Sequence, residues 1–223
     1  MKNDPAENQE SIKAIPEPTL RRLPIYYQLL KSRLNAGSSE ISCTTIADAL
    51  HLTAIQVRKD LEITEASGKP KVGYNIKELI AAIENFLGWN SKSEAFLVGA
   101  GNLGSALIGY QGFKEYGLMI IAAFDNNPAK INTSVYGKRI FDIKKLSDMV
   151  RRMKVSIGIL TVPAQYAQES ANLMTEAGIR AIWNFSPTKI ICRPDIVVQH
   201  ENLACSLAVL SKKISEVAAR RIS

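Results

Sequence analysis

Six residues near the middle of the chain, Gly99-Ala100-Gly101-Asn102-Leu103-Gly104, have the types and spacing to hold a pyrophosphate. They follow an apolar run at 95–98 and open a helical pattern. Gly99 permits a tight turn, Gly101 lets the backbone close on the phosphates, and Gly104 lets the helix lie against the strand. The first turn of that helix adds amide donors and partial positive charge. Such a loop needs a partner: an acidic residue ending the next strand, about 20 residues on. Asp125 stands 21 residues beyond Gly104, directly after the apolar run 120–124. A carboxylate there accepts bonds from both ribose hydroxyls and repels a 2′-phosphate. Neither Asn126 nor Asn127 is an arginine, so NAD is favoured over NADP. The same carboxylate is also placed to cap the Asn126-Asn127-Pro128 turn.

Two further strand ends border the expected site. Thr161-Val162-Pro163 ends a strand that should lie beside the first, at the carboxyl edge where open α/β sheets bind ligands, and is expected near the nicotinamide. Pro163 also suits the start of the following helix. Asn184 and Phe185 end the next strand and are candidates for the same pocket, although a phenylalanine at such a place is more often plain core. Groups for hydride chemistry are scarce. The chain has two histidines, His51 and His200, and neither follows a strand near the Gly-rich loop. Tyr110 and Lys114 have Tyr-x-x-x-Lys spacing, but on the first helix of the sheet region. Binding without turnover is therefore the leading expectation, with a small NAD-dependent oxidoreductase as the alternative.

The N-terminal region offers a reason to bind a dinucleotide without consuming it. Helical patterns at 44–50 and from Thr53 are joined by a tight connection, giving a helix-turn-helix form. Thr53-Ala54-Ile55-Gln56 matches a capping box. Val57 and Leu61 face inward, while Gln56, Arg58 and Lys59 project from the part of the helix that enters a major groove. Arginine pairs with guanine edges and glutamine with adenine, whereas lysine and threonine commonly contact phosphate, so Thr53 joins the candidates. A β-hairpin expected over 68–76 brings Lys69 and Lys71 to a wing against the phosphates. The competing reading is a helical dimerisation region with a solvated Arg-Lys pair.

Longer-range patterning supplies the frame. Residues 1–18 are polar, acidic and proline-punctuated and read as a flexible tail. Thr19 is the expected N-cap of a first helix, with Pro24 tolerable in its first turn. A DNA-binding region over 19–88 is followed by a short polar boundary and a sheet region over 93–223. There, strands at 95–98, 118–124, 155–162, 179–185 and 196–198 alternate with helices at 102–116, 143–153 and 164–177, and a last helix covers 203–219. That alternation specifies an α/β, Rossmann-like, doubly wound parallel sheet. The 223 residues carry 22% charged and 46% hydrophobic side chains, as in an ordinary globular chain. The net charge of +7 permits an anionic partner without naming one. Its densest part, 138–154, has seven basic residues against Asp142 and Asp148 and reads as a solvated helix face. Cys43, Cys192 and Cys205 lack CxxC spacing, which argues against a disulfide framework or a metal site. No run is long enough for a membrane span and the start has no signal-peptide core, so a cytoplasmic location is expected.

Several of these motifs occur together and in order in one family. Thr19-Leu20-x-Arg22-Leu23-Pro24-x-Tyr26-Tyr27, Gln56-Val57-Arg58-Lys59-Asp60-Leu61 and Val72-Gly73-Tyr74 resemble the Rex redox-sensing transcriptional repressors. The Gly-rich loop, Phe124-Asp125, Thr161-Val162-Pro163-Ala164, Ile182-Trp183-Asn184-Phe185 and Asn202-Leu203-Ala204 continue the match. The resemblance implies winged-helix heads on NAD(H)-binding domains, in a homodimer whose C-terminal helix is swapped between subunits. It implies binding to a palindromic double-stranded operator when NADH is low and release by NADH, with NAD⁺ permitting binding. Gly73 and Tyr74 become wing residues at the DNA by the same resemblance. Many members have Phe-Gly where Thr64 and Glu65 stand, and a glycine at Lys71. An Arg–Asp pair that links the first helix to the last in some members is replaced by Gln28 and Asn202. A charged latch is thus absent, and an amide–amide bond is its nearest substitute.

Overall fold

The computed structural model describes residues 15–70 and 72–220. Residues 1–14 of the expected tail and Lys71 of the expected wing lie outside the described residues. The chain divides between Asn90 and Ser91 into two compact units.

In the first unit, α1 (Glu17–Asn35) starts before Thr19, with Pro16 at its N-cap and Pro18 in its first turn. Thr19 is therefore not the cap; it is buried, and its hydroxyl donates to Asp60 at 2.8 Å. Pro24 consequently falls in the helix interior, where it removes a backbone donor. Burial of Leu23, Tyr26, Tyr27 and Leu30 carries the helix through that break. β1 (Glu40–Ile41) leads into α2 (Cys43–Leu50), capped by the Ser42 hydroxyl. His51 adopts a left-handed conformation and turns the chain into α3 (Ala54–Glu62). The expected hairpin is reduced to one bridge between Lys69 and Gly73. β2 (Tyr74–Asn75) pairs instead with β1, Ile41 against Tyr74. Asn75 then caps α4 (Ile76–Leu87), its side-chain oxygen accepting from the Lys77 and Glu78 amides.

The second unit is a seven-stranded sheet of β3 (Ser93–Val98), β4 (Leu118–Asp125), β5 (Ser134–Val135), β6 (Lys138–Asp142), β7 (Ile157–Leu160), β8 (Ala181–Asn184) and β9 (Val197–His200). Its order is β5-β6-β4-β3-β7-β8-β9. All neighbours are parallel except β5 against β6. The chain moves outward from β3 to β6, then returns to β7 on the other side of β3, so the topological switch lies between β3 and β7. Alternation along β3 feeds two cores. Ala95 and Leu97 pack with Ile108, while Phe96 and Val98 pack with Val150, Ala171 and Met174.

The helices are α5 (Asn102–Gly109), α6 (Leu146–Met153), α7 (Ala164–Ala177) and α8 (Leu203–Arg220). The expected helix over 102–116 stops at Gly109 because Tyr110 is extended, and a tighter 3₁₀ turn, Gln111–Tyr116, follows. Residues 143–145 are likewise a 3₁₀ turn, capped by Asp142, before α6. The basic stretch is not one helix face: its first five residues form β6, in which Ile140 is buried between Arg139 and Phe141. Between β8 and β9 the crossover is a loop rather than a helix. It is tied to α7 by Gln168, which accepts from the Ile191 amide at 2.8 Å and donates to its carbonyl at 2.9 Å.

Candidate dinucleotide cleft and nucleic-acid interface

A cleft of about 620 Å³ opens at the carboxyl ends of β3, β4 and β7, at the switch point. Gly99 and Gly101 form one lip, Asp125 and the 126–130 loop a second, and Thr161, Val162 and Pro163 a third. Gly99 has φ +101, and a Cβ there would lie 2.8 Å from the Thr161 carbonyl oxygen. A Cβ on Gly104 would run into the Gly99 carbonyl, so α5 reaches this close to β3 only with glycine at that position. Beside Gly101 the space is open, as backbone approach by a phosphate requires. The first-turn amides of Asn102, Leu103 and Gly104 have no intrahelical acceptor. The Thr161 hydroxyl donates to the Gly99 carbonyl at 2.7 Å and locks the loop to β7.

Asp125 is buried, and both its oxygens are engaged. Oδ2 accepts from the Ala100 amide at 2.9 Å, and Oδ1 accepts from the Asn127 amide at 2.9 Å. The turn-capping role weighed from sequence is thus present, and alongside it the carboxylate braces the Gly-rich loop. Oδ1 keeps a second lone pair to offer a hydroxyl, whereas Oδ2 takes a second donor from the protein itself. Lys130, which sequence reasoning missed, places Nζ 3.3 Å from Oδ2. It lies in an irregular loop where no periodicity marks it. Tyr166, Glu169 and Leu173 of α7 also line the cleft. Their helical spacing after Pro163 was a usable signal.

Asn184 and Phe185 do not line this cleft. The Asn184 side chain is fully buried and donates to the Thr188 carbonyl at 2.8 Å, while its oxygen accepts from the Ser186 amide. Phe185 packs on Trp183, 4.8 Å between ring centroids. Tyr110 and Lys114 lie outside the cleft as well, beside a small separate hollow.

In the first unit, the Thr53 hydroxyl accepts from the Gln56 amide at 3.2 Å and caps α3. Val57 and Leu61 are buried, and Thr53, Arg58 and Lys59 are exposed with Gln56 half-buried. Asp60 has no role legible in the sequence. It is buried and accepts from Arg22 Nε at 2.6 Å, Arg22 Nη2 at 2.8 Å, the Tyr26 hydroxyl at 2.6 Å and the Thr19 hydroxyl at 2.8 Å. Burial would raise this carboxyl, but the bonds from Arg22, Tyr26 and Thr19 outweigh it and hold it below the usual range. Burial, reinforced by the bond to Asp60, pushes the Tyr26 phenol up. The four groups fix α3 to α1. Lys69 is exposed at the end of the wing, Gly73 donates its amide to the Lys69 carbonyl, and Tyr74 is half-buried. Burial and then the neighbouring Cys43 push the Tyr74 phenol up. Glu65 adopts φ +60, the left-handed region that favours glycine.

Family models match both units: "CoA binding domain" over residues 90–188 and "Putative DNA-binding protein N-terminus" over 14–62. A redox-sensing transcriptional repressor Rex of Treponema denticola is 51% identical over 193 residues, covering 86% of this chain and 92% of that protein. The chain belongs to the Rex family. A Rex of Bacteroides fragilis is 40% identical over 96% of both chains. Among solved structures, the Rex-family repressor RSP in complex with NAD⁺ and operator DNA matches with a TM-score of 0.87 at 31% identity, covering 93% of this chain and 96% of that one. RSP in complex with NADH matches at 0.84 and 30%, covering 94% and 99%. Rex relatives are named as repressors, which decides between the two readings left open by the sequence: this is a redox-sensing transcriptional repressor, not an oxidoreductase.

Proposed function

We propose that the chain holds NADH or NAD⁺ in the switch-point cleft and grips a palindromic operator through α3 and the Lys69–Gly73 wing of a homodimer. NADH releases the DNA and NAD⁺ permits binding. The observation that carries this reading is the clamp of Asp125 on the Ala100 amide, which presets the Gly-rich loop for a pyrophosphate. Asp125 takes the adenosine ribose. Thr161, Val162 and Pro163 form another lip of the same cleft, and we assign them to its nicotinamide end. Asn184 and Phe185 act from behind, by holding the strand end. Thr53 and Lys59 contact phosphate, Gln56 and Arg58 read bases, and Lys69, Gly73 and Tyr74 form the wing. Lys71 belongs to the same wing by sequence.

α8 supports the dimer. Leu203, Leu207, Leu210, Ile214 and Val217 are each more than half exposed, an apolar surface that a single subunit leaves uncovered. We assign it to a second copy, as a swapped helix. Asn202 caps this helix, its oxygen accepting from the Ala204 amide at 3.0 Å. No helix among the described residues is long and apolar enough to cross a membrane. Operator binding supports a cytoplasmic location as the compartment that holds the DNA. Gel-shift titration of a selected palindromic duplex tests the reading. NADH should release the complex at concentrations where NAD⁺ does not, and equal action of the two would refute it.

A further inference from the structure

We propose that Ile55 is a specificity-determining residue that reads a thymine through its C5-methyl group. The proposal rests on α3 being the operator-reading helix. Ile55 is the second residue of α3 and is 68% exposed, whereas Val57 and Leu61 of the same helix are fully buried. It is outside the core. At spacings of three, four and seven, it shares the exposed face with Arg58, Lys59 and Glu62. A single exposed aliphatic side chain is ordinary on a protein surface. Its position distinguishes this one: the first turn, with the Cα–Cβ bond tilted toward the helix N-terminus, the end that enters a major groove. Polar neighbours there have donors and acceptors on every base edge. An aliphatic group has one apolar counterpart in the major groove, the methyl of thymine. Isoleucine is β-branched and nearly fixed at χ1 in a helix, so it presents that surface in one orientation.

The test uses the full-length protein. A palindromic operator is selected from a random duplex library and resynthesised with each thymine replaced in turn by deoxyuracil, which lacks the methyl group. Affinities are measured by gel shift for the unmodified chain and for Ile55→Ala; the exposed position leaves α3 folded, and an unchanged circular dichroism spectrum verifies this. At one thymine per half-site, deoxyuracil should weaken the unmodified protein by about fourfold, the value of one buried methyl group. Ile55→Ala should lose at least as much on the thymine operator and be indifferent to deoxyuracil at that position. A flat scan with the unmodified protein, or an equal penalty in both proteins, overturns the proposal. Failure to select any sequence would overturn the operator-helix reading itself, and this assignment with it.

Discussion

Replacing Asp60 by alanine removes the acceptor of four hydrogen bonds at once. Tyr26 is fully buried, so its hydroxyl is left without an acceptor, and Thr19 is nearly as enclosed. Arg22 keeps one-fifth of its side chain exposed and recovers some hydration. An unsatisfied buried donor costs roughly 1–3 kcal/mol, and breaking a buried pair from one side roughly 3–5 kcal/mol. These are overlapping descriptions of one network, so the expected loss is about 4 kcal/mol. With a urea slope of about 1.5 kcal/mol per molar, the unfolding midpoint of the first unit should fall by about 2.5 M. Trp89 reports on that unit, packed edge-on against Tyr27 at 5.1 Å, and Trp183 reports on the second. Fluorescence unfolding in a Trp183→Phe background therefore isolates the effect. Operator affinity should fall with it, while NADH affinity should not change. A midpoint shift below about 0.5 M would show that the network does not hold α3.

The same network sets a pH window. The Asp60 carboxyl is depressed in the folded chain, so its contribution is present above the ordinary carboxylate range near pH ~4 and is lost as pH falls through the depressed value. The Tyr26 phenol is raised, so its contribution is whole below about pH 10 and is lost as pH climbs through the raised value; urea midpoints across pH should show both flanks, and Tyr26→Phe should flatten the alkaline one. Asp125→Ala frees the Ala100 amide and Lys130 together; NADH should bind roughly tenfold or more weakly and NADPH should gain relative to it, as measured by fluorescence titration. Glu65→Gly should stabilise the first unit by about 1 kcal/mol, because the left-handed conformation costs a side chain that much; a loss of stability in urea unfolding would contradict this.

The Gly-rich loop and Asp125 were legible because their chemistry is local: a turn, a close approach and a carboxylate at a fixed spacing. α7 was legible to the residue, since Pro163 opens it and Gly178 ends it in a left-handed cap. Thr19 was misassigned because capping depends on where the helix starts, and the two prolines beside it move that start. β6 was hidden because a strand with one fully buried residue, Ile140, has no apolar run to display. The wing was misjudged for a related reason, as β2 finds its partner in β1, more than thirty residues away in sequence. Asp60 was invisible as an anchor because its partners lie 34 to 41 residues distant, and only packing of α1 on α3 brings them together. Asn184 looked like a pocket residue from its place at a strand end, yet its side chain turns inward to its own loop.

One chain couples a dinucleotide cleft to an operator grip. A ligand shifts an equilibrium only by its differential affinity for two states, and the effect is reciprocal. NADH and NAD⁺ share every group that Asp125 and the Gly-rich loop would hold, so discrimination lies in the nicotinamide ring, neutral in one and cationic in the other. A neutral, mostly apolar surrounding favours the neutral ring. The direct measurement is NADH titration of the full-length protein with and without saturating operator. Operator should weaken NADH binding by the same factor by which NADH weakens operator binding, about 5- to 150-fold. Superimposable NADH curves would contradict it.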